Sequence, residues 1–295
     1  MDQGGLDFYA APGPLTRLPE HDALADVPTD LGAMRLAIQG LLVHRDWAPV
    51  YGVTGDDLRA GEQHLRSVEE ILGRAFEISP APITDTRPPI DRVVSICRDY
   101  TLLQVALLRA QGTPARVRCG FSSYFDKDKW YDHWITERWD GGRWVRDDPQ
   151  VDAVQAEIVK LDFDPYDQPP GPFLTGSQAW LATRRGELDP DLFGIFDMWG
   201  APFITGNVIL DLACLNKVET LPWDGWGMMT GPFEPVTDEV GAVMDELAAL
   251  VETDDFPAIR ARYLADDRLR VPADLTSFQD GAPVAVHLEL GEEVA

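Results

Sequence analysis

Ser95-Ile-Cys-Arg-Asp-Tyr-Thr-Leu-Leu-Gln-Val-Ala-Leu-Leu-Arg-Ala-Gln-Gly112 is a polar opening with one cysteine that runs straight into a helix apolar on most of its circumference. Leu102, Leu103, Val105, Ala106, Leu107 and Leu108 leave no wide polar stripe, so this helix belongs at the buried centre of a domain. Gly112 is its C-terminal stop and Pro114 stands just beyond. Cys97 then lies at the helix N-terminus. Unpaired N–H groups and a partial positive charge there, with a histidine to assist, lower a thiol's pKa from about 8.5 into roughly the 3.5 to 7.5 range. The expectation is a nucleophilic cysteine.

Its helper is sought downstream, where Lys129-Trp-Tyr-Asp-His-Trp-Ile-Thr-Glu-Arg-Trp139, Asp140-Gly-Gly142 and Arg143-Trp-Val-Arg-Asp-Asp-Pro-Gln150 read as strand, tight turn, strand. Asp-Gly is a strong hairpin signal. If Asp140 and Gly141 are the two turn residues, His133 stands directly opposite Asp148 on one face and Asp147 points the other way. Centring the turn one residue later makes Asp148 a diagonal neighbour of His133 on the same face. Only a three-residue loop would swap the faces and favour Asp147. The geometry therefore proposes Cys97 as nucleophile, His133 as base and Asp148 as the carboxylate that fixes the imidazole tautomer.

Cys97-Arg-Asp followed by the apolar helix, Gly112-Thr-Pro-Ala-Arg-Val-Arg-Cys-Gly-Phe121, His133-Trp, and Trp144-Val-x-x-Asp148-Pro resemble the transglutaminase-like superfamily. The resemblance spans residues 87–150 and implies a papain-like α+β core, with the N-terminal-Cys helix packed on an antiparallel sheet and a Cys-His-Asp triad. In that family the Asp is the fourth residue after the Trp, which again selects Asp148. Ser95 stands where many members carry Gly and Gln150 where many carry Thr; neither departure removes a catalytic group. The family's chemistry implies attack on an amide or thioester through a thioester acyl-enzyme, as amidase, peptidase or amine acyltransferase. The acyl substrate would be a small molecule, a peptide or a carrier-linked group. The alternative is a catalytically silent binding or scaffold domain. No calcium-loop pattern like that of animal transglutaminases is present, and no cofactor or metal motif is read: no pair of residues has C-x-x-C or H-x-x-x-H spacing.

Fifty acidic against 25 basic residues in 295 give a net charge of −25, which argues against general electrostatic binding to nucleic acid or anionic membrane. The acid is uneven. Residues 85–148 carry 10 acidic and 11 basic side chains, whereas 231–295 carry 15 and 4. Arg87, Arg92, Arg98, Arg116 and Arg118 in the near-neutral stretch either hold an anionic group of a substrate or pair with surrounding carboxylates. Three cysteines at unrelated spacings and no secretory signal at Met1 suggest a reducing cytoplasm. Only 4 of the 25 basic residues are lysine, which with the Ala and Asp bias suggests a GC-rich bacterial genome. No apolar run reaches 18 residues, so no membrane span is expected.

Residues 1–30, with Pro12, Pro14, Pro19 and Pro28, read as an extended arm. Residues 31–165 form the core, with helices over Asp30 to Leu42 and Leu58 to Phe76 before the central one. His44 and Trp47, in the loop between those two helices, read as core side chains, and His64 and His21 as surface residues. A residue upstream of the cysteine often completes the oxyanion hole in papain-like folds; the sequence does not assign it. Ala115 to Phe121 alternates as a half-buried strand, which turns Cys119 inward; Cys214 sits in an apolar helix. Phe163 to Pro172 is a proline-rich boundary. Residues 166–295 read as mainly helical, packed on the core, with helices at 177–185 and 207–216 and one capped by Thr237. The loop Leu221-Pro-Trp-Asp-Gly-Trp-Gly-Met-Met229 packs its Trp223 and Trp226 in the core or roofs a substrate pocket.

Overall fold

The computed structural model describes residues 1–291. Its first element is a helix, α1 (Gln3–Ala10), capped by the Asp2 carboxylate, which accepts the Gly5 N–H at 2.8 Å. The first thirty residues are therefore not a wholly extended arm. Pro12 and Pro14 end a helix instead of preventing one, and Tyr9 on it is buried, its hydroxyl donating to the Leu215 carbonyl at 2.8 Å. α2 (Leu31–Leu41) follows its Asp30 cap and runs into β1 (Leu42–His44). The helix expected from Leu58 starts only at Val68, because Ser67 and Glu70 form a reciprocal capping box that fixes its first turn; this is α3 (Val68–Ile78). His64 consequently sits in a short 3-10 turn, half-buried, and not on a helix surface.

β2 (Val93–Ser95) pairs parallel with β1, His44 opposite Ser95, and leads through Ile96 into α4 (Cys97–Ala110). Every residue of α4 from Cys97 to Arg109 is buried. Each Leu or Val so placed contributes about 1.5–3 kcal/mol over an exposed one, so its apolar circumference dictates its place. Next come β3 (Ala115–Ser122), β4 (Trp130–Trp139), β5 (Trp144–Asp147) and α5 (Ala153–Val159). The remainder holds β6 (Phe173–Thr175), α6 (Gly176–Arg184), β7 (Phe193–Ile195), β8 (Met198–Trp199) and α7 (Ala201–Leu215), then β9 (Asp224–Gly225), α8 (Asp238–Val251), α9 (Phe256–Leu264), β10 (Asp274–Gln279) and β11 (Ala282–His287).

The main sheet runs β6-β3-β4-β7-β8, with β5 also on β4. Three of its strands, β6, β7 and β8, come from beyond residue 165, so that region contributes sheet as well as the expected helices. β10, β11 and β9 add a second antiparallel sheet there. On one edge β4 pairs β7 at Trp130 and Tyr131 and β5 from Thr136 to Trp139, leaving 132–135 without a strand partner. The first turn of α4 fills that gap. The Thr101 hydroxyl donates to the Trp134 carbonyl at 3.1 Å, and the Trp134 N–H is directed at the Cys97 sulfur. β3 has a matching exposed stretch, since β6 reaches only Gly120 to Ser122; there Asp211 of α7 accepts the Cys119 N–H at 3.0 Å. The result is an α+β fold in which the cysteine-bearing helix packs on a mainly antiparallel sheet.

Candidate active site

Cys97 is the first residue of α4, and β1, β2 and β4 bring everything else to it. The observed hairpin pairs Trp139 with Trp144 and Thr136 with Asp147. This is the register with the turn centred one residue later, with Asp140 to Arg143 as the loop. Asp148 lies just past the ladder on the His133 face, and the His133 Nε2 is 2.8 Å from the Asp148 Oδ2. Asp147 points to the other face, where Arg35 and Arg138 hold it. The three residues picked from sequence thus converge: Cys97 is 8 % exposed, His133 2 % and Asp148 fully buried.

The carboxylate of Asp148 is saturated. Besides the His133 ring it accepts the Tyr124 hydroxyl at 2.6 Å and the Gln150 N–H at 3.0 Å. With Nε2–H of His133 donating to Asp148, Nδ1 carries the free lone pair, so the proton-accepting atom of the pair is Nδ1. Tyr124 and Phe125, on the loop between β3 and β4, stand edge-on to the imidazole with ring centroids 5.8 and 5.0 Å away. Trp47 packs on Phe125 at 6.1 Å and Phe163 on Tyr124 at 5.5 Å. These four aromatic rings form one cluster against the His133 imidazole. Tyr124 and Phe125 carry no motif in the sequence; their one signal is a pair of aromatics in the otherwise polar hairpin loop Ser123 to Lys129.

The electrostatics differ from expectation. Burial pushes the Cys97 thiol well above its ordinary range, the charges of Asp132, Asp99 and Asp148 push it further, and only the Trp134 N–H opposes them. Desolvation and these carboxylates oppose the lowering expected from the helix terminus. Burial likewise pushes Asp132 up to about 7, against the nearby Asn207 and His133; its Oδ1 is buried without a hydrogen-bond partner among the described residues. Asp99 accepts the Ile96 N–H at 3.0 Å, closing the first turn of α4, and burial raises it to about 6.

The remaining sequence candidates are engaged elsewhere. Arg116 and Arg118 pair with Glu137, Asp254 and Asp211; Arg98 pairs with Asp99 and backbone carbonyls; Arg87 and Arg92 bond carbonyls. Cys119 donates to the Asn207 side chain, and Cys214 is fully buried. Trp226 is packed in the core with its N–H on the Leu269 carbonyl, and Trp223 stands against His64. The rings nearest His133 come from the β3–β4 loop. Among the described residues no group of three or more His, Cys, Asp or Glu is placed to hold a metal ion. No helix among them is long and apolar enough to cross a membrane.

Comparison with known proteins adds a family to this geometry. Residues 57–149 match the model of the transglutaminase-like superfamily, about a third of the chain and a stretch that includes Cys97, His133 and Asp148. A solved structure described as "a Putative Cysteine Protease from Cytophaga hutchinsonii" is similar at 21% identity and a TM-score of 0.28, over 51% of this chain and 43% of that one. The match thus spans less than half of that protein's length. A search of curated proteins gave no match. Within this matched stretch the cysteine is presented by a helix terminus wedged into a strand gap, and the histidine and aspartate by one hairpin.

Proposed function

We propose that the protein is a cysteine-dependent acyl-transfer enzyme that attacks an amide or thioester and passes through a thioester acyl-enzyme on Cys97. The observation that supports this reading best is the saturated Asp148, which fixes the His133 tautomer and leaves Nδ1 as acceptor for the thiol proton. Burial and the surrounding carboxylates keep the Cys97 thiol protonated before attack. His133 removes the proton as the sulfur attacks, and the developing imidazolium is stabilised by the Asp148 carboxylate. The protonated His133 then delivers that proton to the leaving amine or thiolate. Water as the acceptor makes the enzyme an amidase or peptidase; an amine makes it an acyltransferase. The substrate in this reading is a small-molecule, peptide or carrier-linked acyl compound, and the site of action is the cytoplasm.

The aromatic cluster against His133 favours a second reading, a domain that keeps the fold and binds without turnover. One experiment separates them: p-nitrophenyl acetate is mixed with the protein, nitrophenolate release is followed, and the protein is examined by mass spectrometry. The enzyme reading expects about one equivalent of rapid release with a single acetyl group on Cys97, lost in Cys97→Ala and reduced roughly 10³-fold or more in His133→Ala. Release that is the same in all three proteins sinks it and leaves the binding domain.

A further inference from the structure

The His133–Asp148 pair has a third member on the loop between β3 and β4. The Tyr124 hydroxyl donates to Asp148 Oδ2 at 2.6 Å, the same oxygen that takes the His133 Nε2–H at 2.8 Å. Two donors therefore share one carboxylate oxygen, and the shorter bond is the phenol's. The other oxygen, Oδ1, accepts the Gln150 N–H at 3.0 Å. An O–H bond of this length to a carboxylate belongs to the charge-assisted class, roughly twice as strong as a bond between neutral groups. Burial, the Asp148 charge and the bond itself push the Tyr124 phenol well above its ordinary range, so the hydroxyl keeps its proton and remains a donor through the neutral range. The ring is held in place by its neighbours: Phe125 and Phe163 stand 4.8 and 5.5 Å away between centroids, and Gln168 Nε2 lies 3.5 Å from the phenol oxygen.

We infer that Tyr124 is a positioning residue that weakens His133 as a base and so sets how far into acid the site works, an inference that rests on the acyl-transfer reading. A carboxylate stabilises an imidazolium by the charge it presents to the ring. The phenol draws part of the charge on Oδ2 to itself, so the imidazolium is stabilised less and gives up its proton more readily. Before attack, the ring then stays uncharged to lower pH, with Nδ1 open to the thiol proton. After attack, the imidazolium is a stronger acid toward the leaving amine or thiolate, and the proton it delivers is the one it took from Cys97. No bond forms to Tyr124, which keeps its own proton throughout. Other groups also act on His133: Asp132 of its own strand and His44 of β1 through space, and Cys97 of α4 as the thiol it serves. Removing the Tyr124 hydroxyl alters none of them.

The test removes one oxygen atom. Tyr124→Phe keeps the ring against Phe125, Phe163 and His133 and loses only the hydroxyl. Phe125→Leu, the control, removes a neighbouring ring and leaves the Tyr124–Asp148 bond in place. The rate of Cys97 acylation by p-nitrophenyl acetate is followed from about pH 5 to pH 9 in the full chain and in both variants. Without the phenol, Asp148 presents its whole charge to the imidazolium, and His133 holds its proton to higher pH. In Tyr124→Phe the acid limb of the profile is expected to move up by about 0.5–1 pH unit, which is a rate roughly 3–10-fold lower on that limb, with the plateau within about threefold of wild type. The limb of Phe125→Leu is expected to stay in its wild-type place. An acid limb that does not move in Tyr124→Phe overturns the assignment. So does an equal displacement in both variants, which marks a change of packing around the imidazole and not of the hydrogen bond. If the wild type is not acylated at Cys97, the acyl-transfer reading fails, and the coupling is read instead by NMR from the His133 ring proton, assigned by its loss in His133→Ala. A titration midpoint that rises in Tyr124→Phe upholds the coupling, and an unchanged ring signal overturns it.

Discussion

Asp147 and Asp148 are adjacent in the chain and face opposite sides of one hairpin. The first is the buried anchor of Arg35 and Arg138; the second carries the His133 bond. Asp147→Ala should therefore cost stability, about 3–5 kcal/mol from leaving Arg35 buried and unpaired, with the rate of Cys97 acylation in the folded fraction unchanged. Asp148→Asn should do the reverse, lowering acylation by roughly 10³–10⁴-fold with a smaller change in the urea midpoint. A matched pair of unfolding curves and burst rates checks both, and interchanged outcomes would reassign the carboxylate. Asp132 makes a different prediction. Its pKa of about 7 means that above neutrality it faces Cys97 as an anion and opposes thiolate formation. Asp132→Asn removes that charge, lowers the thiol's pKa and should raise iodoacetamide labelling at pH 8 several-fold, with little effect at pH 5, where the wild-type carboxyl is already neutral. The stability effect has a definite sign. Between about pH 4 and pH 7 the unfolded chain has released this proton and the native state has not, so the native state loses stability as pH rises through the window. The asparagine variant should be spared that loss, which thermal unfolding at pH 5 and pH 8 measures.

At the scale of the element, the site depends on two edges meeting helices. α4 enters the gap in β4, and Gly120 of β3, paired with His133, lets β6 approach on the other side. A Cβ at Gly120 would lie 2.1 Å from the Leu174 carbonyl oxygen and 2.7 Å from the Thr175 Cα, both backbone atoms. Neither can swing aside. Gly120→Ala should then force β3 and β6 apart and cost about 1–3 kcal/mol, read as a lower urea midpoint at an unchanged slope. Because Gly120 is the cross-strand partner of His133, acylation should fall as well. A fully stable, fully active variant would show that β6 is not needed to hold that register.

Across the whole molecule, the segment beyond residue 165 completes the sheet. α7 covers β3 through Asp211 and Asn207, while β6, β7 and β8 extend the sheet on both sides of the β3–β4 pair. Arg118, fully paired only by Glu137 and Asp211 together, ties the two regions by charge. A fragment of residues 31–165 would expose the edge of β3 and leave Arg118 without Asp211, so it should fail to show a cooperative unfolding transition. Circular dichroism with urea titration decides this, and a sharp transition in the fragment would make the core independent. Arginines of the near-neutral stretch around the site also pair with carboxylates from elements far along the chain, such as Asp211 and Asp254.

The apolar circumference of residues 102–108, the cysteine before it and the Asp-Gly turn were enough, by themselves, to specify a buried helix, a hairpin and the trio Cys97, His133 and Asp148. These are short-range signals, carried by helical periodicity, strand alternation and turn chemistry, and they survive folding because packing agrees with them. Two local expectations give way to stronger local chemistry: the Ser67–Glu70 box that delays α3, and the Asp2-capped helix that precedes Pro12. What only the tertiary structure decided is the environment. The aromatic cluster against His133 depends on how the β3–β4 loop folds back. The direction of the Cys97 pKa depends on how many carboxylates, from three separate positions, surround a desolvated sulfur. Desolvation and charge are sums over everything nearby in space, and no spacing along the chain encodes that sum.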